Sequence, residues 1–124
     1  MAYRRDAPPD LPEVVALKAA LAGGDAVVTT GIVLLELLRG FVPDRAQRMV
    51  RADLGVIEHV EPRWSDYEDA ATLSNICRRH GVQLASVDAL IAQLAIAHEL
   101  TLLTTDRDFV SAARHIPLRV WSAG

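Results

Sequence analysis

Four acids stand where a free carboxylate is out of place. Glu36 lies inside the apolar run Ile32 to Leu38, Asp88 opens the run Ala89 to Ala97, and Asp106 and Asp108 directly follow the Thr-rich apolar run Leu100 to Thr105. Carboxylates gathered together repel one another, so such a set persists by raising its proton affinity or by binding a cation. A hard divalent cation is the economical answer. Mg²⁺ or Mn²⁺ takes oxygen ligands in octahedral geometry, keeps several waters, and is usually held by one or two carboxylates together with phosphate oxygens. The remaining acids can then orient or deprotonate an attacking water. Each acid also has an ordinary explanation. Asp88 suits a first helical turn, Asp106 or Asp108 an N-cap, and Glu36 an ion pair with Arg39 at i,i+3. Left unpaired among leucines, Glu36 would cost several kcal/mol to desolvate.

The elements that must position these acids follow from periodicity. Asp88 heads a segment apolar all round, which reads as a largely buried helix. Leu100 to Thr105 reads as a buried strand running into Asp106 and Asp108 and then a short amphipathic helix, so two acids fall at a strand's carboxyl end, where sites collect in open α/β sheets. Upstream, Met1 to Pro12 carries Pro8, Pro9 and Pro12 and reads as an irregular lead-in. A helix follows through Val14 and Leu21, ended by Gly23-Gly24. Ala26 to Thr29 is a strand, Thr30 an N-cap, and Ile32 to Arg39 a helix stopped by Gly40. Asp44 to Leu54 is an amphipathic helix with a basic stripe, Arg45, Arg48 and Arg51, suited to RNA phosphates, an acidic partner or simply solvent. Val56 to Val60 is a further strand. Ser65-Asp66-Tyr67-Glu68 reads as a capping box opening a helix to Gly81, and Leu118 to Trp121 as the last strand. Strands separated by helices predict an α/β fold with a mostly parallel sheet covered on both faces.

Composition bounds the rest. The chain's 124 residues suit one domain with one core. No apolar run approaches the ~18 residues that span a bilayer, and no basic-then-apolar leader follows Met1, so the expectation is a soluble cytoplasmic protein without membrane contact. A net charge of −3 argues against a generally basic nucleic-acid surface while allowing a local patch. Lys18 is the only lysine among 13 cations. Any phosphate contact would therefore be made by planar guanidinium groups, although a GC-rich genome explains the same bias. Cys77 is the only cysteine and reads as a small buried hydrophobe. Trp64 and Trp121 read as core or interface anchors, with base stacking by Trp64 as the alternative. Thr104, Thr105 and Ser86 read as caps rather than site ligands. No glycine-rich phosphate loop occurs.

Three strings, Thr29 to Gly40 around Glu36, Val87-Asp88-Ala89-Leu90-Ile91-Ala92, and Leu103 to Phe109 around Asp106 and Asp108, resemble in order and spacing three acidic motifs of PIN-domain ribonucleases, specifically the VapC toxins of bacterial VapBC toxin–antitoxin pairs. The similarity runs from about Ala7 to Trp121. The resemblance implies a PIN-like three-layer α/β fold over a single domain, residues 1–124. It also implies an endoribonuclease dependent on Mg²⁺ or Mn²⁺, an RNA substrate, inhibition by a VapB-type antitoxin, and a homodimer. Glu36, Asp88 and Asp106 take the family's catalytic, metal-binding positions, with Asp108 a possible fourth metal ligand and Arg45, Arg48 and Arg51 substrate-binding candidates. One feature departs from the family. Its members begin with an apolar strand ending in aspartate, central to the sheet, whereas no such strand precedes Ala26, and Asp6 and Asp10 do not align with that acid. The expectation is a chain truncated at its N-terminus, with a sheet lacking its central strand, exposed edges and weakened metal binding. The competing reading is a catalytically inactive PIN scaffold that only binds antitoxin or RNA.

Overall fold

The computed structural model describes residues 27–39, 43–104 and 106–121. The lead-in, the helix expected after Pro12, the stop at Gly40, and Thr105 lie outside these residues. The chain divides into two compact units, the first ending at Glu61 and the second beginning at Pro62.

In the first unit, β1 (Val28–Thr29) leads through Thr30 into α1 (Gly31–Leu38), then α2 (Asp44–Gly55) and β2 (Glu58–His59). The strands pair in parallel, Val28 opposite Glu58 and Thr29 opposite His59, and Val60 N–H extends the ladder to Thr29 O at 2.8 Å. A parallel pair needs a crossover, and α1 and α2 supply it. Val33, Val50 and Leu54 are buried here. The second strand is shorter than Val56 to Val60 because α2 runs on through Gly55 and Val56 keeps a helical backbone as its C-cap, 86% exposed. Thr30 occupies the N-cap position of α1 as expected, yet its side chain makes no capping bond. The hydroxyls of Thr29 and Thr30 are both buried without a hydrogen-bond partner among the described residues.

The second unit holds α3 (Trp64–Arg79), α4 (Ser86–Ala97), β3 (Thr101–Leu102), α5 (Arg107–Ala112) and β4 (Arg119–Val120). β3 and β4 are parallel, Thr101 opposite Arg119 and Leu102 opposite Val120, extended by Trp121 N–H to Leu102 O at 2.9 Å. Each regular strand is shorter than its apolar run, the flanking residues contributing single bonds rather than a ladder. The core joins Leu73 and Cys77 of α3, Ala89, Ala92 and Ala95 of α4, Leu102 of β3, and Phe109 of α5. Alanines on α4 let it approach its neighbours closely, which is how a helix with little polar surface comes to be buried on several sides.

The start of α3 corrects the expected capping box. The helix begins at Trp64 with Arg63 as N-cap, and the acid reaching back is Asp66, whose Oδ2 accepts Arg63 N–H at 2.8 Å. Glu68 lies two residues too far along to do so. Gly81, at φ 79°, closes α3 in the left-handed conformation that glycine adopts without strain, and Val82 N–H reaches Cys77 O at 2.9 Å. Glu99, at φ 54°, closes α4 in the same way without that freedom.

Candidate functional site

The acids of the second unit are placed by a strand end and two helix starts. β3 brings the chain to Thr104, whose buried side chain accepts Asp106 N–H on Oγ1 at 3.0 Å. Asp106 is the N-cap of α5, and its Oδ1 accepts Asp108 N–H at 2.9 Å. Two short bonds therefore fix where Asp106 points. Thr104 does not cap a helix itself, as the sequence suggested, but holds the residue that does. Asp108, in the first turn of α5, is exposed beside Asp106. Both residues are exposed.

Asp88 is the third residue of α4, in its first turn, and is half-buried. The N-cap of α4 is Ala85, which has no side chain to satisfy the terminal N–H groups, and Ser86 is the first helical residue rather than the cap expected for it. An acid in this turn is favoured by the helix dipole whatever else it does.

Glu36 belongs to the first unit. The i,i+3 pair with Arg39 that was one reading of it is present: the residue is exposed, and Arg39 Nη1 lies 3.6 Å from its Oε1. Only Val33 of α1 is buried, so the helix turns Glu36 outward and no desolvation has to be offset. Such an exposed i,i+3 pair contributes a few tenths of a kcal/mol at most. Arg45, Arg48 and Arg51 all stand exposed on α2, as a phosphate-binding or solvated stripe requires.

Asp66 and Gln93 form a buried pair that sequence reading did not single out. Asp66 is 7% exposed, and its Oδ1 accepts Gln93 Nε2–H at 3.3 Å while Oδ2 takes the α3 cap. The pair ties the first turn of α3 to the middle of α4. The available signal was Gln93 itself, the single polar residue after the first turn of an otherwise apolar helix. Of the readings of Trp64 the core one is corrected, since it stands 83% exposed at the start of α3, while Trp121 is half-buried. Cys77 is fully buried as expected, and burial raises its thiol pKa above the ordinary 9.0.

The donor set suits a hard divalent cation: Asp88, Asp106 and Asp108 offer only oxygen, and capping engages one oxygen of Asp106, leaving its other oxygen available. Among the described residues of each unit taken alone, no three His, Cys, Asp or Glu side chains form a group that could hold a metal ion. One or two carboxylates with water and phosphate oxygens is the usual Mg²⁺ arrangement. No helix among the described residues is long and apolar enough to cross a membrane.

The sequence model of one family, described as "PIN domain", matches residues 10–115, a span that takes in all four acids and runs through both units. No curated protein matches the chain.

Proposed function

The chain belongs to the PIN-domain family, generally metal-dependent nucleases, and on that premise we propose that it is a toxin-type endoribonuclease of the VapC kind. It hydrolyses RNA phosphodiester bonds with a Mg²⁺ or Mn²⁺ ion, acts in the cytoplasm as a homodimer, and is neutralised by a VapB-type antitoxin. The observation that carries the reading is Asp106, fixed at the end of β3 by Thr104 and by the Asp108 amide, with one oxygen still available.

Asp88 and Asp106 are the proposed metal ligands, with Asp108 a further oxygen donor beside Asp106. Glu36 enters by its motif. When bound, the ion supplies charge stabilisation at the phosphoryl oxygens and lowers the pKa of a coordinated water. The chain's own part is to hold carboxylates ready. Asp106 cannot swing away without releasing the Asp108 amide, so its position is set before substrate arrives. Asp88, anchored in the first turn of a buried helix, has little backbone freedom to lose. Arg45, Arg48 and Arg51 are proposed to hold RNA phosphates at a distance from the chemistry.

The test is cleavage of labelled single-stranded and hairpin RNA by the intact chain in Mg²⁺, Mn²⁺ or EDTA, beside Asp88→Asn. Cutting that requires metal and disappears in the variant supports the reading. RNA or antitoxin binding by folded protein that cuts nothing in any metal would instead establish the inactive scaffold.

A further inference from the structure

Trp64 stands 83% exposed as the first residue of α3, although an indole is among the side chains that gain most from leaving water. The same helix borders an open groove. It lies between α3 and α4 with a volume of about 480 Å³, and Ala70, Ala71, Val87, Ala89 and Leu90 form half of its lining. Trp64 is not part of that lining. Ser74 Oγ already donates to Leu84 O at 3.3 Å and Arg78 Nη1 to Asn75 Oδ1 at 3.5 Å, so the groove offers apolar burial more than hydrogen bonds. At about 100° per residue, Trp64, Glu68, Ala71, Asn75 and Arg78 fall on one stripe, within about 40° of Trp64 to either side. All five are exposed. Ala71 is the midpoint of this stripe, with Trp64 and Arg78 each about 10 Å from it along the helix axis in opposite directions.

We propose that a second copy of this chain packs on the stripe, antiparallel and about a two-fold axis at Ala71, so that Trp64 of each copy enters the groove of the other. The inference rests on the homodimer proposed above and not on its nuclease chemistry. Positions equally far from the axis face each other in an antiparallel pair, so Trp64 meets Arg78 of the second copy. That guanidinium lies over the indole face, and Glu68, one turn closer to the axis, supplies the opposite charge. A parallel pair would instead set Glu68 against Glu68 and Arg78 against Arg78. At the axis Ala71 faces Ala71, and side chains so small let the two helices approach closely. Tyr67, 54% exposed, forms one wall of the groove and extends the apolar contact. Each copy thus carries the same projecting ring and the same groove, as an interface of two-fold symmetry requires. Charge selects this occupant over RNA: a polyanion on the stripe would face the Glu68 carboxylate, whereas a second copy brings Arg78 to it.

The experiment is analytical ultracentrifugation of the full chain over a dilution series, with tryptophan emission recorded on the same samples. The wild type should dimerise, and its emission should move to shorter wavelength as concentration rises, because Trp64 leaves water on association. Trp64→Ala should remain folded by circular dichroism and raise the dimer dissociation constant by about 30-fold or more. Arg78→Glu should weaken the dimer as well, by setting a carboxylate against Glu68. Adding Glu68→Arg to that variant should restore association, since the pair re-forms with its charges exchanged, a rescue that only direct contact gives. A wild type that stays monomeric, a dimer indifferent to Trp64→Ala, or a double variant as weak as Arg78→Glu alone would each overturn the proposal. Emission that shifts only when RNA is added would assign the face to RNA and overturn it too. Cleavage measured separately keeps the two readings apart. A Trp64-dependent dimer that cuts nothing in any metal sinks the nuclease reading and leaves the interface standing, whereas a monomer that cuts RNA does the reverse.

Discussion

Asp106 caps α5 and is proposed to offer its other oxygen to a metal, and substitutions divide the two roles. Asparagine caps as well as aspartate, so Asp106→Asn should keep the melting temperature while lowering RNA cleavage by about 100-fold, equivalent to about 2.7 kcal/mol of barrier. Asp106→Ala should lose activity and also about 1 kcal/mol of stability by denaturant titration, because the Asp108 amide loses its acceptor. Cys77 gives a prediction in pH. Its thiol pKa is raised by burial in the folded chain, so the unfolded chain releases the proton first as pH rises. The associated stability is fully present below the ordinary thiol value of 9.0 and is lost as pH climbs from there through the raised folded value. Melting followed against pH should show that decline in the wild type and not in Cys77→Ala, which itself starts less stable. The buried thiol should also react slowly with an alkylating reagent until the chain unfolds.

At the scale of elements, α3 and α4 are held in mutual register by the Asp66 to Gln93 hydrogen bond as well as by small-residue packing. Gln93→Leu strands a buried carboxylate oxygen and should cost about 1–3 kcal/mol, read as a lower denaturant midpoint. The end of α4 offers the opposite change. Glu99 holds a left-handed backbone that glycine adopts freely, so Glu99→Gly should raise stability by about 1 kcal/mol. These elements were legible in the sequence to different degrees. The helices around Asp44, Ser65 and Asp88 followed from apolar spacing and lie within a residue or two of expectation. Strand lengths did not, because an apolar run marks what is buried, whereas a ladder also needs a partner in register, as Val56 shows by staying with its helix. The outward turn of Glu36 was also hidden, since α1 carries more apolar residues than it buries and its sequence does not say which face is covered. At the site, acid positions were visible as breaks in apolar runs. The Thr104 hydroxyl that holds Asp106 was not, because a threonine before a helix is compatible with several hydrogen bonds.

For the whole molecule, a net charge of −3 argues against a generally basic face, so the proposed RNA engagement rests on local patches. Replacing Arg45, Arg48 and Arg51 together by alanine should lower the salt dependence of single-strand binding by about 2 in log–log slope, as expected for three lost phosphate contacts. A slope unchanged from wild type would mean that the stripe only faces solvent. The central claim, that Asp88 and Asp106 hold the ion that drives RNA hydrolysis, is tested most directly by single-turnover cleavage rates measured across a Mn²⁺ titration for the wild type, Asp88→Asn and Asp106→Asn. The account predicts saturating metal dependence in the wild type, no cutting in EDTA, and rates in both variants lower by about 100-fold with folding intact. Cleavage that persists in EDTA, or variants that follow the wild-type curve, would contradict it.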